Sequence, residues 1–407
     1  MVEITVHRGS REIGGNCVEL RHSSGERLIL DVGRPLDVPT DAVGLMPKTL
    51  RLDGDAAVLI SHSHQDHWGL VNDLPTHWPV WTGAATAKLI GITARLARNP
   101  LNRVCQTWAT GTAFSIGPFR ITPILTDHSA FDATMLLIET DGRRILYSGD
   151  FRRHGRKAAL VERLMHNPPL DVDLLILEGT NLGTDKPVIP ETSLETQFTD
   201  LMARKKGRIF VSWSGQNIDR TVTLYRAARR SGRDLVIDLY TAEVLEAVAD
   251  GTRLPRPGFD NLKIVLTRGL RNHYKKLGRE DFLERMARTG ISASKLEGSR
   301  HVVMARDGLI PDYVAKGVVA TPDDALVWSM WRGYLKENSP TQDWFRPTGQ
   351  KIDFLHTSGH ASTEDLLAFA QAVQAKRVIP VHGANWVNGG VVFENLHPVA
   401  DGEVVHV

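Results

Sequence analysis

Cysteine is scarce in this chain: only Cys17 and Cys105 occur in 407 residues, far apart and outside any Cys-x-x-Cys spacing. That excludes a disulfide framework and fits a reducing compartment, so a cytoplasmic location is expected. Long hydrophobic runs are also missing, none approaching the roughly 20 apolar residues of a membrane span. The chain starts directly into Glu3-Ile4-Thr5-Val6, without the pattern of a signal peptide. Internal repeats and low-complexity tracts are absent too. Net charge is only +2, too small to mark a nucleic-acid binder by itself. Its distribution is uneven, however. Between Gly183 and Gln350 there are 27 Lys and Arg against 21 Asp and Glu, so the remainder of the chain is net acidic. Acidic residues where a cationic metal pair would sit, beside a basic middle segment, suit a phosphate-backbone substrate. With 42% hydrophobic and 24% charged residues, the composition is that of a globular protein of two or three domains.

Histidine, by contrast, is plentiful and clustered. The segment Leu59-Ile60-Ser61-His62-Ser63-His64-Gln65-Asp66-His67 places three imidazoles and a carboxylate within six positions, directly after the apolar run Ala56–Ile60. If the backbone is extended there, His62 and His64 project to the same side. Asp66 and His67 then follow on a turn toward a helix start. Nitrogen and oxygen donors in this density are what a zinc ion requires. Three further segments end apolar runs with the same residue types: Leu30-Asp31-Val32, Thr126-Asp127-His128 and Ser148-Gly149-Asp150. Alone, each is more often a strand-end turn than a ligand; with the His62 cluster they read as one constellation.

The surrounding pattern is layered α/β. Strands are expected at Ile4–His7, Cys17–Leu20, Leu28–Val32, Ala57–Ile60, Phe119–Ile124, Thr134–Glu139, Ile145–Ser148 and Leu174–Leu177, with helices near Ala84–Arg98 and Lys157–His166. Asp141-Gly142 is a hairpin turn. From Gly183 the texture becomes strand–helix alternation, which predicts a parallel, doubly wound sheet. The basic stretch Asn272–Gly290 is expected to be helical, and Gly317–Ala320 to be a strand. Trp328, Trp331 and Tyr334 recur at every third residue, the spacing of a buried helical stripe. Trp213, on a strand-to-helix loop, reads as a packed tryptophan more readily than as a base-stacking one. After Gln350 one more strand–helix–strand unit is expected, ending at Arg377–Val381.

The order His-x-His-x-Asp-His, followed by the His128 and Asp150 segments, resembles the metallo-β-lactamase superfamily. The later segments Leu177-Glu178-Gly179-Thr180, Thr357-Ser358-Gly359-His360-Ala361 and Pro380-Val381-His382-Gly383 resemble its β-CASP branch, whose members cut nucleic acids. Together with Val6–Asn16 near the start, they are most similar to the ribonuclease J subfamily. The resemblance implies an αββα sandwich with an inserted α/β domain, residues 1–182 and 351–407 forming the first and 183–350 the second. It further implies two zinc ions, for which manganese is an acceptable substitute. His62, His64 and His128 would hold one ion, and Asp66, His67 and His382 the other, with Asp150 bridging them and Asp31 in support. Glu178 and His360 would protonate the leaving group, and Asp66 belongs to the same catalytic set. Ser358, Gly359 and Ala361 would offer hydroxyl and N–H donors to phosphate.

By the same resemblance, a hydroxide shared by the two metals hydrolyses RNA endonucleolytically, from the 5′ end, or both, leaving 5′-phosphate and 3′-hydroxyl ends. A histidine at position 382 marks the RNA-processing branch, so single-stranded RNA is the expected partner, without membrane association. Ribonuclease J proteins usually continue into a C-terminal dimerisation domain where this sequence ends at Val407, so a homo-oligomer gains no support from such a domain. Arg152 and Arg153, directly after Asp150, are expected to contact phosphate, whereas the Arg204–Arg208 cluster is accounted for by a helix end. Competing functions are a small-molecule phosphodiesterase or other metallo-hydrolase, a DNA nuclease, and a non-catalytic RNA-binding subunit.

Overall fold

The computed structural model describes residues 1–39, 41–184, 187–385 and 395–407. The chain divides into two compact units, Met1–Val188 with Gly359–Val407, and Ile189–Ser358. These divisions lie six and eight residues beyond the joints expected at 182/183 and 350/351.

The first unit is built on two sheets. One orders its strands as Val404–His406, Val2–Arg8, Cys17–His22, Arg27–Leu30, Ala57–Ile60, Val80–Gly83 and Gln106–Trp108. The other runs Arg377–Val381, Leu174–Glu178, Arg143–Tyr147, Thr134–Thr140, Phe119–Leu125 and Phe114–Ile116. Side chains alternate across each strand, and here both faces are buried. Ala57 and Leu59 enter the core between the sheets with Ile145, Tyr147, Leu174 and Ile176. Val58 and Ile60 point the other way, onto Ile90 and Ala94 of the helix Ala84–Leu96. Leu175 and Leu177 likewise turn outward onto Val161, Leu366 and Phe369, carried by the helices Ala158–His166 and Thr363–Val373. The layers are therefore helix, sheet, sheet, helix. Each buried aliphatic side chain contributes roughly 1.5–3 kcal/mol, which fixes strand register, since a one-residue slip would invert every face. Asp141 and Gly142 both have positive φ (49° and 74°), joining Thr134–Thr140 to Arg143–Tyr147 by the expected two-residue hairpin.

This layering brings several chemically active segments to strand carboxyl ends. Asp31 follows Arg27–Leu30, Ser61–His67 follow Ala57–Ile60, His128 follows Phe119–Leu125, and Asp150 follows Arg143–Tyr147. Glu178 ends its own strand and His382 follows Arg377–Val381.

The second unit is a parallel seven-stranded sheet in the order Gly290–Ile291, Leu262–Val265, Leu235–Ile237, Val302–Met304, Ile209–Ser212, Ala325–Trp328 and Asp353–Phe354. The helices Glu191–Arg204, Ile218–Arg230 and Leu239–Val248 alternate with these strands. Two sequence expectations fail here, and a third, the helical stretch Asn272–Gly290, holds with a break. Gly317–Ala320 is not a strand: the N–H of Val318 returns to the Tyr313 carbonyl (3.0 Å), so this apolar stretch closes the preceding helix Ile310–Val314. Asn272–Gly290 holds two helices, Arg268–Lys276 and Glu280–Ala287, because the chain turns at Gly278 (φ +65°). Trp328, Trp331 and Tyr334 do not form a helical stripe. Trp328 ends a strand, whereas Trp331 and Tyr334 flank and end a single 3-10 turn and are exposed. Trp213 is fully buried, its Nε1 donating to Thr221 Oγ1 (3.0 Å), as a packed tryptophan should. Among the described residues, no helix is long and apolar enough to cross a membrane.

Candidate metal centre

All seven residues expected to ligate metal lie together in the first unit. Their donor atoms form overlapping groups within 4.8 Å: His62, His64 and His128; Asp66, His67 and His382; and His62, His67 and Asp150. Asp150, Glu178, His360 and His382 make a fourth group.

Hydrogen bonds on the far side of each imidazole decide where its lone pair points. Asp31, fully buried, accepts from Ser61 N (2.7 Å), Ser61 Oγ (2.8 Å), Tyr147 OH (2.6 Å) and His67 Nδ1 (2.7 Å). With Nδ1–H given to Asp31, His67 keeps a bare Nε2. Ser61 Oγ spends its proton on Asp31 and so accepts from His62 Nδ1 (3.0 Å), which leaves His62 Nε2 bare as well. His128 Nδ1 donates to the Gly359 carbonyl (2.6 Å). Thr180 Oγ1 lies 2.8 Å from His382 Nδ1. His62, His67 and His128 thus have Nδ1 held from outside and turn Nε2 inward, the arrangement by which outer hydrogen bonds orient metal-binding histidines, while His382 brings Nε2 to 3.2 Å from Asp66 Oδ2. His64 does the reverse, bringing Nδ1 to 3.1 Å from His128 Nε2.

Asp150 sits at the focus. Its Oδ2 is 3.1 Å from His67 Nε2, 3.6 Å from His62 Nε2 and 3.9 Å from His128 Nε2, and its Oδ1 is 3.6 Å from His382 Nδ1. Among the described residues, both carboxylate oxygens are buried and neither receives a hydrogen bond, and the inward Nε2 atoms of His62 and His67 are likewise buried and unpartnered. Acceptors facing acceptors at these distances are unfavourable, and an uncompensated buried carboxylate costs several kcal/mol. A cation among them removes both penalties. The residues present therefore fit a bound metal, and nitrogen–carboxylate donors of this kind suit zinc.

The electrostatics agree. Burial, together with the neighbouring imidazoles, holds His62 and His128 well below the usual histidine range, and burial pushes His64 down to about 4 despite Asp66 and Asp150. These rings stay neutral and free to donate lone pairs. Burial would lower His67 too, but Asp150, Asp31 and Asp66 together drive it well above its ordinary value. The carboxylates thus call for positive charge at that point, supplied by a second ring proton on Nε2 or, with Nε2 bare, by a metal. Burial would raise Asp66, yet His67 and His382 hold it below the usual carboxylate range.

Glu178 and His360 form a second arrangement beside Asp150. Glu178 is fully buried; Oε1 accepts from Phe151 N (3.1 Å) and Oε2 from Thr180 N (3.2 Å), with His360 Nδ1 3.2 Å from Oε2. Burial opposes the charge on His360, but Glu178 and Asp150 outweigh it and push the imidazole up to about 9. The ring is thus placed as a proton donor held by a carboxylate. Asn181 Nδ2 steadies this loop by donating to the carbonyls of His360 (3.2 Å) and Ala361 (3.0 Å).

Several expected phosphate contacts are replaced by internal ones. Arg152 is fully buried with its guanidinium 3.4 Å from Asp127, and Arg153 grips Glu162 (2.7 Å) and Asp365 (3.0 Å). Both anchor the loop after Asp150. The N–H of Ala361 is given to the Phe151 carbonyl (2.6 Å), and Gly359 uses its carbonyl to hold His128. Ser358 is the last residue of the second unit. The sequence reading overlooked the outer partners Ser61, Tyr147 and Thr180. Ser61 and Thr180 lie inside the motifs, so their position was a usable signal; for Tyr147, 116 positions from Asp31, there was none.

Comparison with known proteins gives consistent results. A profile described as "Beta-lactamase superfamily domain" matches residues 38–235, and one described as "Zn-dependent metallo-hydrolase RNA specificity domain" matches residues 349–385. The chain is 24% identical over 449 residues to ribonuclease J of Helicobacter pylori (strain B128), covering all of this chain and 60% of that protein. To ribonuclease J of Mycobacterium tuberculosis (strain H37Rv) it is 26% identical over 414 residues, covering 94% and 69%. The chain thus spans about three fifths of the length of its Helicobacter relatives. A crystal structure of a protein of unknown function from Enterococcus faecalis V583 superposes with a TM-score of 0.77 at 19% identity over 99% of each chain, a likeness of fold.

Proposed function

The chain belongs to the metallo-β-lactamase superfamily, in its β-CASP branch and similar to ribonuclease J, and from that premise we propose that it is a metal-dependent ribonuclease. The observation that carries the reading is the buried Asp150 carboxylate, without a hydrogen-bond donor among the described residues and ringed by imidazoles, next to the His360–Glu178 pair.

His62, His64 and His128 would hold one zinc ion and Asp66, His67 and His382 a second, with Asp150 shared; manganese fits the same donors. A bound pair supplies a water ionised near neutral pH and positive charge beside the phosphodiester. Asp31, through His67 and Ser61, keeps two ligands in the tautomer that binds. Thr180 Oγ1, 2.8 Å from His382 Nδ1, positions that ring. His360 delivers its proton to the departing 3′ oxygen, and Glu178 holds the ring in place and keeps it charged until then. Fission on that side leaves 5′-phosphate and 3′-hydroxyl ends. Single-stranded RNA is the substrate, cut internally, from the 5′ end, or both. The RNA specificity profile over residues 349–385 supports RNA ahead of DNA.

The test is purified protein on end-labelled single-stranded RNA and DNA carrying 5′-triphosphate, 5′-monophosphate or 5′-hydroxyl ends, beside a His64→Ala, Asp66→Ala double variant, with elemental analysis of both. Metal-dependent cleavage of RNA, lost in the variant, is expected, with two metal ions per chain. Cleavage of small phosphodiesters alone, or of DNA in preference to RNA, would replace this reading.

A further inference from the structure

The second unit exposes an aromatic cluster that the metal chemistry does not use. Trp331 and Tyr334 are 52% and 51% exposed, although both rings would ordinarily seek burial. They lie in the loop after the strand Ala325–Trp328, at the carboxyl edge of the parallel sheet, where open α/β sheets bind ligands. The loop is built rather than loose. Trp328 Nε1 donates to the Trp331 carbonyl (3.1 Å), and the Trp331 ring lies so close over Gly333 that any Cβ there would come within 2.3 Å of it. Tyr334 meets Trp331 edge to face at 5.2 Å between centroids, and the Arg332 guanidinium stacks 4.1 Å over the Phe354 ring, pinning it beside them.

We propose that Trp331, Tyr334 and Arg332 form a stacking platform for one or two bases of single-stranded RNA. This rests on the ribonuclease reading and adds to it a substrate-holding surface in the second unit. Two half-exposed rings offer about 200 Å², well short of the roughly 800 Å² per partner of a stable protein interface. Planar rings interleaved with arginine match the flat faces and charged backbone of an unpaired strand. The unit that carries them has 27 Lys and Arg against 21 Asp and Glu over residues 189–358, so it favours a polyanion.

The test uses intact, metal-loaded protein and a fluorescently labelled single-stranded RNA of about ten nucleotides, a length within the site sizes of single-strand binders, measuring KM, kcat and sedimentation. Trp331→Ala is expected to raise KM roughly tenfold, the loss of one base stack. Trp331→Phe should restore KM to within about threefold, since a ring still stacks, whereas Trp331→Leu, apolar but without a π face, should behave like alanine. An unchanged KM in Trp331→Ala, or rescue by leucine equal to that by phenylalanine, overturns the platform while the ribonuclease reading stands. A change in sedimentation with KM unaltered also overturns it and assigns the rings to a protein contact. Wild-type protein that neither binds nor cuts RNA overturns both.

Discussion

His67 Nδ1 stands 2.7 Å from Asp31 Oδ2, and Asp31 holds that position with a left-handed backbone, φ +58°. The same carboxylate fixes Ser61 and, through it, His62, so one residue sets the tautomers of two proposed ligands in different groups. Asparagine also accepts a left-handed conformation, so Asp31→Asn removes the charge and turns one of the two acceptor oxygens into a donor while keeping the backbone. Zinc affinity is expected to fall about 10- to 100-fold with the fold retained. Competition against a chromophoric chelator measures it, and unaltered affinity would show that the Asp31 contact is not needed to present Nε2.

If His360 serves as proton donor, its removal matters only where the leaving group needs a proton. His360→Ala is expected to reduce RNA cleavage by roughly 10²–10⁴-fold, the range of general acid catalysis. Hydrolysis of bis(p-nitrophenyl) phosphate, whose phenolate leaves unprotonated, should decline far less. Glu178→Gln should follow the same split more mildly, since the amide still reaches His360 Nδ1 but no longer supports its charge. Equal losses on both substrates would assign His360 to the metal site instead.

The proposed ligands were legible because they sit in short motifs at strand ends: His62 to His67 in one segment, with His128, Asp150 and His382 each just past an apolar run. What the sequence could not display was their outer support. Tyr147 reaches Asp31 only after two sheets pack face to face, and His128 finds its carbonyl partner 231 positions later. Arg152 misled for a related reason: adjacency to Asp150 suggested substrate, but burial turned it to Asp127. Trp331 and Tyr334 misled through period. Spacing by three suits a helix, and an isolated 3-10 turn has the same spacing without hiding either ring.

A buried network away from the metal centre sets an acid limit. Glu19 accepts from Arg27 Nε (2.7 Å) and lies 3.0 Å from His7 Nε2. Burial would raise its pKa, but these partners hold it down to about 2. A carboxyl lowered in the folded state adds stability that is complete above its unfolded value near 4.5. That stability disappears as pH falls through about 2. The amount involved is on the order of 2 kcal/mol after allowing for solvent screening. Urea unfolding between pH 6 and 2 should show this loss in the wild type. Glu19→Gln should be less stable at pH 6, with a flatter acid limb, so that the two proteins converge near pH 2. Parallel curves would mean that Glu19 gains nothing from His7 and Arg27.

Gly359 offers the most local test of how the centre is held. Its carbonyl fixes His128 Nδ1, and there is no room for a side chain: a Cβ would fall 2.5 Å from Ser129 Oγ, 3.1 Å from Ser129 Cβ and 3.4 Å from His128 Cε1. Gly359→Ala must therefore move either the carbonyl or the His128 segment. Overpacking of this kind costs on the order of 1–3 kcal/mol, small enough to leave the fold standing. Metal binding should suffer more, because a displaced carbonyl frees the His128 ring to turn. The expected outcome is a protein that unfolds slightly more easily and retains less than its full metal complement after dialysis, the ion at His62, His64 and His128 being lost first. Ser129→Ala removes the nearer obstruction and should return part of that metal to the Gly359→Ala protein. Full metal retention in Gly359→Ala alone would mean that His128 is held by its own strand end and not by the carbonyl it touches.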